Sequence, residues 1–218
     1  MARGNGRMQI FIDDVDYKRF VYLLGDVVDE FRIECWNYCL MPNHYHATLR
    51  PSCPNLSEAV RRLNSLYAQW WNRRHERVGH VFQGRFKDQI VQREGYLLAL
   101  CRYVALNPVR ASLTTRPEDW AWSSYAATVG LRSLPPFLAA SCVLQQFGEG
   151  EERILQTRFT DYVLSVDKHE CMDDRIRSNE RVLGNGVFKK TVRAELPGIS
   201  EAQSAASISL EAVSAPII

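Results

Sequence analysis

Tyr38-Cys-Leu-Met-Pro-Asn-His-Tyr-His-Ala-Thr-Leu-Arg50 is the stretch on which the reading of this chain turns. Met41-Pro-Asn43 has turn chemistry. The residues on either side of it, aromatic and β-branched in part, read as two strands of an antiparallel hairpin. Side chains alternate across a strand, so His44 and His46 leave on the same side while Tyr45 enters the opposite face. Two imidazoles offered side by side from a rigid backbone are half of a metal site.

Working outward, Phe31 to Leu40 alternates poorly but fits a buried first strand of that hairpin. Upstream, Asp13 or Asp14 can cap a helix over residues 14–30, with Tyr17, Phe20, Val21, Leu24, Val27 and Val28 at helical spacing. Downstream, Pro51 and Pro54 end the histidine strand. Asn55 or Ser57 then caps a second helix to about His75, with Val60, Leu63, Leu66, Tyr67, Trp70 and Trp71 as its stripe. The adjacent tryptophans cannot both face a core, so one is expected nearer solvent. His80 to Val91 returns to strand character around Gly84. A third helix is expected from Glu94 to Leu106, stopped by Asn107-Pro108 because the residue before a proline is pushed out of helical geometry. On it Tyr96, Leu100, Tyr103 and Asn107 share one line, so a phenol and an amide one turn apart can approach one target. Taken alone, Tyr103 is as readily a core-edge aromatic and Asn107 a helix terminator.

The 218 residues suit one medium domain with an appendage. The net charge of +2 identifies no partner. Its distribution says more, because residues 55–93 hold eight basic side chains against three acidic ones, whereas the first helix is acidic. Such segregation fits a basic surface that follows a phosphate backbone. Arg61, Arg62, Arg73, Arg85 and Arg102 are the candidates for these contacts, which would make binding salt-dependent. His75 and His80 bracket a turn beside the basic helix and read as phosphate-facing or structural. His169 sits in a polar stretch with no evident role. Six cysteines without a Cys-x-x-Cys, no secretory signal and no apolar run long enough for a bilayer point to reduced thiols, a cytoplasmic location and no membrane partner.

Four ordered blocks carry a resemblance. Tyr38 to His46, Gly79-His-Val-Phe-Gln-Gly-Arg-Phe86, Tyr96 to Ala111 and Pro117-Glu-Asp-Trp-Ala-Trp-Ser-Ser-Tyr125 together resemble the REP-associated tyrosine transposases, a branch of the single-tyrosine transposases within the His-hydrophobic-His nucleases. The likeness runs over roughly residues 3–130. It implies an α+β fold, a ferredoxin-like antiparallel sheet flanked by helices, and cleavage of single-stranded DNA near hairpin-forming repeats. It also implies that His44 and His46 are metal ligands, Tyr103 the nucleophile and Asn107 the third protein ligand. Imidazole-rich sites generally favour zinc; the resemblance points instead to Mg²⁺ or Mn²⁺.

Two departures from the family pattern set expectations. Relatives carry a strand ending in Ser/Thr-Arg-Gly-Asn before the aligned region, whereas this chain starts at Met1-Ala-Arg-Gly-Asn5. The sheet is therefore expected to hold at most the tail of its first strand. Ser112 also stands where the usual residue is glycine.

Three regions are expected: a transposase-like nuclease domain over 1–130, a small helical C-terminal module over 131–193 after the Leu134-Pro-Pro136 linker, and a disordered tail over 194–218. Relatives include monomers and dimers that exchange tyrosine helices, so a homodimer is a candidate assembly. Two other functions compete with the tyrosine endonuclease and strand transferase. One is a catalytically inactive, N-terminally truncated DNA-binding relative; the other is a zinc-dependent hydrolase that uses activated water.

Overall fold

The hairpin forms where the sequence places it. In the computed structural model, which describes residues 1–165 and 181–195, strands β2 (Ile33–Met41) and β3 (His44–Pro51) pair antiparallel around a two-residue turn, with Met41 opposite His44 and Cys39 opposite His46. A register shift between Cys35 and Asn37 explains why β2 alternates poorly. The bulge adds one residue, so Ile33 and Cys35 before it and Tyr38 and Leu40 after it reach the same core.

The tail of a first strand is present. β1 (Ala2–Arg3) pairs antiparallel with β3, placing Ala2 opposite Tyr45 and Arg3 opposite His44. The sheet order is β1-β3-β2. Beyond β1 lies the segment expected as a strand from His80 to Val91. It runs beside the N-terminal residues through Asn5 N to Val81 O, Gln83 N to Arg3 O and Lys87 N to Met1 O, and bridges Phe82 to Gly4. Gly79 at φ 97° and Gly84 at φ 63° break its regularity. Only β4 (Ile90–Val91) is a regular strand there, and it pairs parallel with β5 (Val182–Leu183) outside the main sheet.

Helices α1 (Asp14–Glu30) and α2 (Leu56–Arg74) cover one face. Asp13 caps α1, accepting from Val15 N and Asp16 N. Tyr45, Phe20, Tyr67, Phe11 and Trp71 meet in the core between these helices and the sheet. Trp71 is buried there, while Trp70 lies half-buried under the guanidinium of Arg74. His75 is structural: with Arg74 it contacts the fully buried carboxylate of Asp16, at 3.0 and 2.6 Å, joining the end of α2 to the start of α1.

Helix α3 (Arg93–Arg110) covers the other face and passes through Asn107-Pro108 instead of stopping there. A proline this close to a C-terminus removes one backbone bond, to the Val104 carbonyl. The end is still closed by Ala111 N to Asn107 O, Ser112 N to Val109 O and Leu113 N to Pro108 O. Ser112 has φ 55°, the left-handed position that follows many helices and favours glycine. Ser112→Gly is therefore expected to stabilise the fold by about 1 kcal/mol, read as a higher urea midpoint. An unchanged or lower midpoint would contradict the strain assigned to this residue.

The Pro117–Tyr125 block closes the outer edge of β2: Leu40 N donates to Trp122 O, Tyr38 N to Ser124 Oγ and Ser124 N to Tyr38 O. After α4 (Tyr125–Thr128), helices α5 (Ala140–Leu144) and α6 (Glu152–Leu164) pack on the outer side of α3 through Val143, Leu155, Phe159 and Val163 against Leu97, Cys101 and Ala105. Helix α7 (Gly186–Glu195) follows β5. The tail expected to be disordered, apart from residues 194 and 195, and His169 lie outside the described residues. The described cysteines are free, and among the described residues no helix is long and apolar enough to cross a membrane.

Candidate active site

The sheet face under α3 gathers the predicted chemistry. His44 and His46 project from β3 with ring centres 5.0 Å apart and planes near perpendicular. The ring of Tyr103 stands 5.7 Å from that of His46, edge to face. Leu100, Val104, Cys39, Met41 and Trp120 pack around the phenol's base. Asn107 lies one turn further along α3, and its Nδ2 donates to the Tyr103 carbonyl at 2.8 Å. Its Oδ1 is thereby left as the open acceptor of the amide.

Asn43 orients the His44 ring. Asn43 Nδ2 donates to the Arg7 carbonyl, so Asn43 Oδ1 faces His44 Nδ1 at 2.7 Å. An acceptor there puts the His44 proton on Nδ1 and leaves the Nε2 lone pair free, as a metal ligand requires. Burial, followed by the charges of Arg3 and the N-terminal ammonium, lowers the His44 pKa to about 4. Burial, helped first by His44, holds His46 well below the ordinary imidazole range. Both rings are therefore neutral at physiological pH.

The same shifts set a pH dependence of folding. Between the unfolded value of 6.5 and about 4, the unfolded chain binds protons at His44 that the folded chain refuses. Stability from this source is complete above pH 6.5 and declines as pH falls toward 4. The urea midpoint should drop between pH 7 and pH 5, and drop less in a His44→Gln/His46→Gln double variant. Equal losses in both proteins would refute the assignment.

These donors are of types that divalent cations accept. Two neutral imidazoles share one face, and an amide oxygen on α3 is open for a third bond. Among the described residues no three His, Cys, Asp or Glu side chains gather in ligating positions. A site here would thus be completed by the amide and by oxygens of substrate or water, the mixed shell that suits Mg²⁺ or Mn²⁺ better than a closed zinc site.

The predicted arginines are dispersed. Arg61, Arg62 and Arg73 are exposed on α2, across the sheet from the histidines, and Arg62 pairs with Glu30 at 3.7 Å. Arg85 is exposed on the segment beside β1. Arg102 is a correction: it is 6% exposed, donates through Nη2 to the Ser165 carbonyl and lies over the Tyr162 ring. Its place on α3 faces α6, which buries the guanidinium away from any DNA backbone. His80 is exposed and holds no site position.

Three residues were missed. Asn43 read only as a turn residue. Arg3 fell in a glycine-rich start whose pairing with β3 was not anticipated. Arg110, beyond the predicted end of α3, places its guanidinium 5.2 Å from the centre of the Tyr103 ring and bonds the Tyr103 carbonyl. Reading α3 one turn longer would have put Arg110 beside Tyr103, seven residues away on the same face.

Residues 1–107 match the family described as IS200-like transposases. This part of the chain is similar to that family. The IS200-like region spans β1 to the last turn of α3 and so includes both histidines, Tyr103 and Asn107. A solved structure described as a REP-associated tyrosine transposase bound to a REP hairpin is similar in fold, with a TM-score of 0.52 at 18% identity over 62% of this chain and 79% of its own. No curated protein matches.

Proposed function

We propose that the protein is a metal-dependent endonuclease and strand transferase for single-stranded DNA near hairpin repeats, with Tyr103 as nucleophile. The approach of the Tyr103 ring to within 5.7 Å of His46, on the face where both imidazoles emerge, carries this reading. A solved structure of like fold bound to a REP hairpin supports the choice of DNA.

His44, His46 and the Oδ1 of Asn107 would hold Mg²⁺ or Mn²⁺, which when bound neutralises and orients a phosphodiester for in-line attack. Tyr103 Oη forms a bond to phosphorus as the bond from phosphorus to the 3′ oxygen breaks. That oxygen leaves with the electron pair and takes a proton, while the phenol's proton passes to solvent. The products are a 5′-phosphotyrosine and a free 3′-hydroxyl. One ester replaces another, so the strand can be rejoined or transferred without ATP.

A phenol hydroxyl is a weak nucleophile, so positioning has much to supply. Asn107 and Arg110 both bond the Tyr103 carbonyl and hold the turn from which the ring projects. Arg61, Arg73 and Arg85 are the candidates for backbone contacts to the DNA outside the reacting link.

The test is a covalent adduct. Purified protein incubated with a 5′- and 3′-labelled single-stranded repeat hairpin and Mn²⁺ should yield a denaturation-resistant complex carrying only the label on the 3′ side of the cut. Hairpin binding without an adduct would leave a DNA-binding relative with no catalysis. Cleavage without an adduct would indicate attack by water.

A further inference from the structure

The site carries a cation that the proposed reaction has not yet used. Arg3 lies directly opposite His44 in the antiparallel ladder between β1 and β3. Side chains of directly opposed residues leave on the same face, so its guanidinium shares the surface from which the imidazoles emerge. Its charge acts on both rings. Arg3 is half-buried, its Nε is shielded from water and lacks an acceptor, and among the described residues no carboxylate is paired with it.

A half-buried guanidinium whose Nε is kept from water and lacks an acceptor, beside groups that are themselves neutral, is a donor awaiting an acceptor. The imidazoles cannot be that acceptor in full: His44 Nδ1 is committed to Asn43 and the neighbouring rings are better suited to a metal. Tyr103 approaches from α3 across the same face. An oxygen anion that reaches Tyr103 and both histidines therefore also comes beside Arg3. A phosphodiester has two such oxygens, and the planar fork of arginine is suited to phosphate.

We propose that Arg3 binds a non-bridging oxygen of the scissile phosphodiester, on the β1 side of the histidine pair, and holds it for attack by Tyr103. This rests on the nuclease reading above and adds a substrate-binding residue to it. The backbone of Arg3 pairs with β3 and with Gln83 regardless of its side chain, so truncation leaves the strand in place.

The experiment compares the parent with Arg3→Ala and Arg3→Lys in single-turnover adduct formation on hairpin DNA, using either the native phosphodiester or a methylphosphonate at the cleaved link. Arg3→Ala should slow the native reaction by about 100-fold or more, the effect of deleting a transition-state charge contact. Arg3→Lys should recover part of that loss, as should added methylguanidinium. Hairpin affinity and melting temperature should stay close to the parent's. On the methylphosphonate, which lacks the charged oxygen, the two proteins should react at similar rates. An Arg3→Ala protein as fast as the parent, or slowed equally on both linkages, overturns the proposal while Tyr103 retains its role.

Should the parent form no adduct, the tyrosine reading fails and binding decides the question separately. A short single strand with one native link among methylphosphonates should bind the parent about tenfold more tightly than Arg3→Ala. Equal affinities would overturn the Arg3 contact.

Discussion

Tyr103→Phe is expected to abolish the covalent protein–DNA adduct, a loss of more than ~1000-fold in the rate of strand cleavage. The substitution deletes one oxygen and nothing else. The remaining ring keeps its contacts with Leu100, Val104 and Trp120 and its edge-to-face approach to His46, so folding stability should move by less than about 0.5 kcal/mol. Hairpin affinity should also hold, because the contacts that position the DNA are elsewhere. The measurement is denaturing electrophoresis of labelled DNA after incubation with each protein, with circular dichroism melts as the control. A phenylalanine variant that cleaves at the parent's rate would remove Tyr103 from the chemistry and leave an activated water as the attacking group.

The second large effect belongs to the imidazoles. His44→Ala or His46→Ala removes half of the nitrogen donors and should weaken Mn²⁺ binding by more than about 100-fold, beyond what loss of an outer hydrogen-bond partner produces. Asn43→Ala provides the graded comparison. It frees the His44 ring to rotate and to change tautomer, and should cost about 10-fold to 100-fold in affinity while leaving both ligands in place. Titration of Mn²⁺ followed by electron paramagnetic resonance reads all three directly, without DNA. If His44→Ala binds Mn²⁺ as the parent does, the histidine pair does not hold the cation.

Much of this site could be read before the fold was known, because it depends on short-range periodicity. His44 and His46 share a face by strand alternation alone, and Tyr103 and Asn107 are joined by one helical turn. The hairpin boundaries beside the histidines followed from turn residues. What escaped prediction depends on distant segments. The pairing of Ala2–Arg3 with Tyr45 and His44 is a long-range register that residues 1–7 do not announce. Arg102 looks like any helical arginine until α6 is known to lie over it. The arginines of α2 read as a basic surface from charge segregation alone, which does not tell that the sheet stands between them and the histidines. Pro108 was read as a stop, although within the last turn a helix loses only one bond to it. The broken alternation of Ile33–Leu40 is the trace of a bulge, which adds a residue without leaving a compositional sign.

The enclosure of α3 has a consequence for assembly. Its inner side rests on Cys39 and Met41, its outer side on Val143, Leu155 and Phe159, and a further flank on Val91 and Leu183. Copies that traded their tyrosine helices would have to strip all three apolar seams at once, or move the whole C-terminal region along with the helix. On the proposed reaction, a structure packed in this way would present Tyr103 to the histidines of its own chain, and the reaction rate per protein is then expected not to depend on protein concentration.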